Sequence, residues 1–166
     1  MQWVAFPLHP ETPEHGRSLD DLFAGRGLDI PAMLAQLQST AQQLGLAFGR
    51  RTMTFNSRRA QELGKWAEQQ GCGEVFHQAV FRAYFAAGRN IALPEELRTI
   101  AEEAGLDADR AMQVLAEGAF RDAVDRDWHH SRVSGVTAVP TFRMNGQTLV
   151  GAQPYAALEA MVLTGT

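Results

Sequence analysis

One cysteine, Cys72, stands in 166 residues, so this chain can form no internal disulfide, no CxxC redox pair and no multi-cysteine zinc site. Long apolar runs are missing as well. None approaches the ~18 residues that span a bilayer, and the N-terminus lacks the basic, apolar and small-residue order of a secretory signal. The chain therefore reads as soluble and cytoplasmic. A strong charge of one sign is also absent: 15 basic residues against 19 acidic leave a net charge of -4. That balance offers no field for nucleic acid or an anionic membrane, and neither is expected as a partner. The basic clusters Gly49-Arg50-Arg51 and Ser57-Arg58-Arg59 read as solvated surface.

What is present is a long helical block between two short strand-like ends. Gln2-Trp3-Val4-Ala5-Phe6 has the alternation and aromatic content of a strand, and Pro7 and Pro10 stop it. After a polar stretch from Glu11 to Arg17, Asp29-Ile30-Pro31 opens a helix carrying Met33, Leu34, Leu37, Ala41 and Leu44, which Gly45 ends. Asn56 or Ser57 caps a second helix with Ala60, Leu63, Trp66 and Ala67 on one side. A third runs from Val75 to Gly88. Pro94 to Gly105 bounds one more, Asp107 or Asp109 caps the next, which Gly118 stops, and Phe120 to Val133 closes the block.

After Gly135 the texture changes. Thr141 to Met144, Asn145-Gly146 and Gln147 to Val150 spell a two-residue hairpin, because Asn-Gly supplies the positive φ angles that such a turn needs. Gly151 to Pro154 is a turn, and Tyr155 to Leu163 is an amphipathic helix with Leu158, Met161 and Val162 inward. Pro140 sits at the mouth of the first hairpin strand. Proline cannot donate to a sheet ladder, so it marks either an edge or a special backbone.

The blocks Gly135 to Phe142, Asn145-Gly146 and Gly151-Ala152-Gln153-Pro154-Tyr155 resemble the C-terminal half of DsbA-like thioredoxin-fold proteins, specifically the FrnE branch. Trp3 to Glu11, Asn56-Ser57-Arg58-Arg59-Ala60, Phe81 to Phe85 and Gly88 to Ile91 resemble the same branch in the same order. The branch is related to the 2-hydroxychromene-2-carboxylate isomerases. The resemblance implies an α/β fold: a thioredoxin-like core (residues 1–17 and 134–166) with a large all-helical insertion (18–133). It implies a cis Val139-Pro140 bond facing a redox pair, with backbone turned toward an extended thiol or disulfide substrate. It also implies an earlier strand and a helix bearing a C-P-W-C-type motif, which do not occur in these residues.

In such a core the absent strand lies between the segment Trp3 to Phe6 and the strand Thr141 to Met144. Both would then carry unpaired backbone groups, each costing on the order of 1–3 kcal/mol if buried. Three repairs are open: a segment outside these 166 residues, direct closure of the Trp3 segment on the Thr141 strand, or a homodimer through the exposed edges.

The function that the resemblance implies is that of a thiol–disulfide oxidoreductase family protein acting on a protein or small-molecule thiol, but unable to do dithiol chemistry with one cysteine. The resemblance points to the oxidoreductases by family and leaves enzymatic activity open. The alternatives are a glutathione-dependent isomerase or transferase, and a non-catalytic module that binds an extended peptide. No catalytic residue is assigned. Substrate contact is expected at Val139, Pro140 and Thr141, with Asn56 and Gln153 as cleft candidates whose plainer roles are cap and turn. Arg58, Arg59 and Arg89 are candidate anion contacts against a default of solvated faces. Cys72 reads as an incidental loop thiol. His129-His130 point about 100° apart on a helix and make a poor chelating pair, so no metal is expected; no cofactor is expected, with glutathione reserved for the isomerase alternative.

Overall fold

Proline and glycine set most helix ends in the computed structural model, which describes residues 2–164. Helix α1 (Leu19–Leu22) is a single turn capped by Ser18. Helix α2 (Ile30–Gln43) starts with Pro31 in its first turn and Asp29 accepting from the Ala32 amide. Then follow α3 (Arg58–Gln69), α4 (Gly73–Phe81), a π-helical turn (Arg82–Ala86), α5 (Pro94–Glu103), α6 (Ala108–Glu117) and α7 (Arg121–Val133). Asp107 caps α6, and Gly118 at φ 63° ends it in the left-handed region that glycine adopts without penalty.

The chain divides into two compact units, Met1–Leu8 with Asp125–Thr166, and His9–Val124. The division at 8/9 and 124/125 differs from the expected 17/18 and 133/134. Residues 9–17 belong to the helical unit because their polar groups bind there. Asn56 donates to the carbonyls of Pro10 (3.0 Å) and Thr12 (2.8 Å), Arg59 pairs with Glu14, and Asn90 donates to the Glu14 carbonyl. Strand β1 (Arg17–Ser18) also pairs antiparallel with β2 (Met53–Thr54), a short ladder that hydropathy alone does not announce.

The helical unit holds the core. Leu63, Phe76, Leu97 and Ile100 are fully buried, and Trp66, Ala67, Ala79 and Val114 pack with them. Full burial of each large side chain is worth about 1.5–3 kcal/mol. The spacing of Ala60, Leu63, Trp66 and Ala67 puts one face of α3 inward, as the periodicity predicts. Gly64 on the same helix leaves room for the His77 ring, since a Cβ there would lie 3.1 Å from Nε2.

In the other unit, β3 (Thr141–Met144) and β4 (Gln147–Val150) form the expected hairpin, followed by α8 (Tyr155–Leu163). The N-terminal segment is a correction: Gln2 to Phe6 is not a paired strand. β3 pairs with β4 alone, so the Trp3 segment does not close on it. Among the described residues of this unit, Met161 is the one buried apolar side chain. Val162, placed inward by periodicity, is exposed.

Burial lowers the pKa of His77 from its ordinary value; Glu68 and Glu74 oppose the shift and Lys65 adds to it. A lowered folded value means that the unfolded chain binds the proton more readily. The His77 contribution to stability is therefore present above about pH 6.5, the unfolded value, and is lost as pH falls through the lower folded one. Urea unfolding at a series of pH values should show this loss, and His77→Gln should flatten that part of the profile.

Candidate functional site around Pro140

Helix α7 delivers the chain to this site. Its end is a Schellman turn: the Val136 amide donates to the Ser131 carbonyl, the Gly135 amide donates to the Arg132 carbonyl, and Gly135 sits at φ 70°. A side chain at Gly135 would meet no atom but would be forced into the left-handed region. The Arg143 guanidinium then donates to the Ser134 carbonyl at 3.2 Å, tying β3 back to the helix end.

The Val139-Pro140 peptide bond is cis. The Thr141 hydroxyl donates to the Ala138 carbonyl at 2.6 Å, closing the loop across that bond. On the far side, the Gly151 amide donates to the Pro140 carbonyl at 2.8 Å. Gln153 donates its side-chain amide to the Val150 carbonyl at 2.7 Å, so it secures the turn after β4.

The Gly151 bond also settles which way the β3 backbone points. Antiparallel rungs alternate between hydrogen-bonded and open pairs. With Pro140 bonded to Gly151 and a register of Thr141 with Val150 and Arg143 with Thr148, the bonded rungs are Pro140, Phe142 and Met144. The amides and carbonyls of Thr141 and Arg143 therefore face away from β4. Among the described residues, no hydrogen bond takes them up, and none takes up the backbone of Val139. Val139 and Pro140 are exposed. The loop thus presents a row of unpaired donors and acceptors beside the cis bond, with the chemistry of an edge that can add an extended chain.

The N-terminal segment solves its own pairing differently. The Ala5 amide donates to Asp127 Oδ2 at 2.8 Å, and Ser131 Oγ donates to the Ala5 carbonyl at 3.2 Å. Asp127 and Ser131 are four residues apart, hence on one face of α7. Sequence reasoning did not find them; the i, i+4 pairing of two short polar side chains on a helix is the signal that was available.

The other candidates lie in the helical unit. Asn56 is not the helix cap, which is Ser57 without a side-chain bond. Its Oδ1 accepts from the Arg58 amide while both side-chain protons hold the 10–12 loop, so its amide group serves that loop. Arg58, Arg59 and Arg89 are occupied by Glu62, Glu14, and Glu96 with Glu103 respectively. Cys72, partly buried, caps α4 and offers its thiol weakly to the Gln70 carbonyl at 3.8 Å. A shallow cleft of about 480 Å³ near Glu11, His15, Arg17, Asp21 and Met53 involves none of the candidate residues. No helix among the described residues is long and apolar enough to cross a membrane.

The profile of the DSBA-like thioredoxin domain matches residues 1–162. The chain belongs to that family. Its fold is accordingly the DsbA-like thioredoxin fold in a helix-rich α/β form. A probable DsbA oxidoreductase from Streptomyces coelicolor superposes with a TM-score of 0.87 at 28% identity, over 96% of this chain and 73% of that one. An uncharacterized protein, YwbO, from Bacillus subtilis (strain 168) is 30% identical over 88 residues, which is 52% of this chain. The chain spans 44% of the length of that curated relative.

Asp127→Ala should leave the Ala5 amide without its acceptor. Hydrogen exchange should then show its protection falling by about tenfold or more, with amides in α3 to α6 unchanged. Ser131→Ala should have a smaller effect, since water can reach a carbonyl more easily than it replaces a charged acceptor.

Proposed function

We propose that these residues form the substrate-facing part of a thiol–disulfide oxidoreductase of the DsbA-like family, FrnE branch. The observation that carries the reading is the unpaired backbone of Val139, Thr141 and Arg143 in the exposed loop around Pro140 and along the open edge of β3. An extended substrate segment would pair there, with Val139 and Thr141 giving the backbone contacts and Pro140 setting their direction. Gln153 holds the adjoining turn, and Asn56 positions the 10–12 loop of the helical unit.

Disulfide exchange needs a thiolate to attack one sulfur of a disulfide, forming a mixed disulfide and releasing the other sulfur as a thiolate; a second thiol then displaces the substrate. These 166 residues hold one sulfur nucleophile, Cys72. Under this reading the reacting pair comes from a strand and cysteine-bearing helix outside them. That strand would occupy the open edge of β3. That Met161 is the one buried apolar side chain among the described residues of this unit supports the same idea, because a layer with so little interior has a face still to be covered.

The chain carrying Cys72→Ser should show no reduction of insulin disulfides with dithiothreitol beyond the uncatalysed rate, and turnover would overturn the dithiol assignment. An unstructured disulfide-containing peptide should shift the amide resonances of Val139, Thr141 and Arg143. If glutathione alone shifts them and the peptide does not, the isomerase-type alternative replaces this one.

A further inference from the structure

The helical unit contains a second arrangement, independent of Pro140, built around one arginine. Arg51 is half-buried, and its guanidinium carbon lies 4.6 Å from the Tyr84 ring centroid and 5.1 Å from that of Phe85. Its Nη2 donates to the Tyr84 hydroxyl at 2.8 Å, and that hydroxyl is 3.0 Å from the hydroxyl of buried Thr54. A guanidinium only donates, so the phenol oxygen accepts from Arg51, and either hydroxyl can donate in the Tyr84–Thr54 bond. The chain of bonds fixes the arginine's orientation.

The backbone around it is shaped for this contact. The π-helical turn, Arg82–Ala86, closes with the Ala87 amide donating to the Arg82 carbonyl. The Phe85 carbonyl accepts instead from the Gly49 amide at 2.8 Å. A Cβ on Gly49 would come within 2.1 Å of the Ala86 carbonyl oxygen, so only glycine allows so close an approach. Such π-turns cost hydrogen-bond geometry and recur at functional sites. Here the turn directs Tyr84 and Phe85 at the 48–54 segment. Phe48 stacks on Phe85 with centroids 6.1 Å apart, and Phe81, nearly half exposed at 48%, lies 6.1 Å from the same ring.

Among the half-buried arginines, what sets Arg51 apart is its counter-charge. Arg58, Arg59, Arg89 and Arg98 each meet a carboxylate. Arg51 meets none among the described residues, in a chain with a net charge of -4. A half-buried guanidinium held by two ring faces and a phenol, with further N–H donors open, is preorganised for a planar anion taken in a two-pronged grip. The neighbouring rings favour an aromatic or apolar body on that anion.

We propose that Arg51, Tyr84, Phe85 and Phe81 form a binding site for a small carboxylate with an aromatic or apolar body. Phenylacetate is the probe, and its neutral isostere phenylacetamide is the control, titrated into the 166-residue chain and followed by the Arg51 Nε–H and the amides of residues 48–54 in ¹H–¹⁵N spectra. Saturable shifts are expected for phenylacetate and none for phenylacetamide. Arg51→Gln should weaken binding by about tenfold or more, the effect of losing a charge-assisted pair. Should Arg51→Gln fail to fold, Arg51→Lys keeps the charge without the fork and should still weaken binding by a factor of about three. Tyr84→Phe should weaken it while leaving the ring stack. Shifts that do not saturate, equal binding of phenylacetamide, or unchanged affinity in both Arg51 variants would overturn the site.

Discussion

Two side chains of α7, Asp127 and Ser131, hold the amide and carbonyl of Ala5, and the unit that carries Pro140 depends on that grip. Backbone polar groups placed against a packed layer must be paired. In an ordinary sheet a neighbouring strand does this. Here a helix does it at one residue, with a carboxylate for the donor and a hydroxyl for the acceptor. The same helix ends in the Gly135 turn that starts the Pro140 loop, and Arg143 reaches back to its last turn. One rigid element thus positions both the N-terminal segment and the hairpin.

The hairpin then distributes its backbone groups unequally. Every second rung of β3 faces β4, and the alternate groups face an open edge that runs into the cis bond. An unpaired edge is a site where a further strand can add. The Thr141 and Arg143 groups on that edge meet no partner strand among the described residues. The helical unit shows the opposite economy. Its core is closed by apolar faces of α3 to α6, and most of its half-buried arginines meet carboxylates, so Arg51 with its aromatic cage stands out by chemistry rather than by position.

Much of this was legible from residue order. Asn145-Gly146 marked the hairpin, and the spacing of Ala60, Leu63 and Trp66 marked the inward face of α3. Asp107 or Asp109 marked the start of α6 and Gly118 its end, and the family was visible in separated blocks from Trp3 to Tyr155. The failures have a common cause. Trp3 to Phe6 has strand composition, but a strand exists only where a partner supplies the ladder. Asn56 has a cap's chemistry, yet its amide found the 10–12 loop instead. Arg58, Arg59 and Arg89 could be read only as charges until their carboxylates came into range. Periodicity sees faces, and it does not see what lies against them.

By itself, then, the sequence determined the helical character, the hairpin register, the limit of one thiol and the family to which the chain belongs. Those follow from local backbone preference, turn chemistry, counting and motif order. Tertiary structure alone decided where the two units divide, that Ala5 is held by α7, which side of β3 stays open, and which half-buried arginine meets no carboxylate among the described residues. Each of these is a pairing between residues far apart in the chain, and no local property of either partner specifies it.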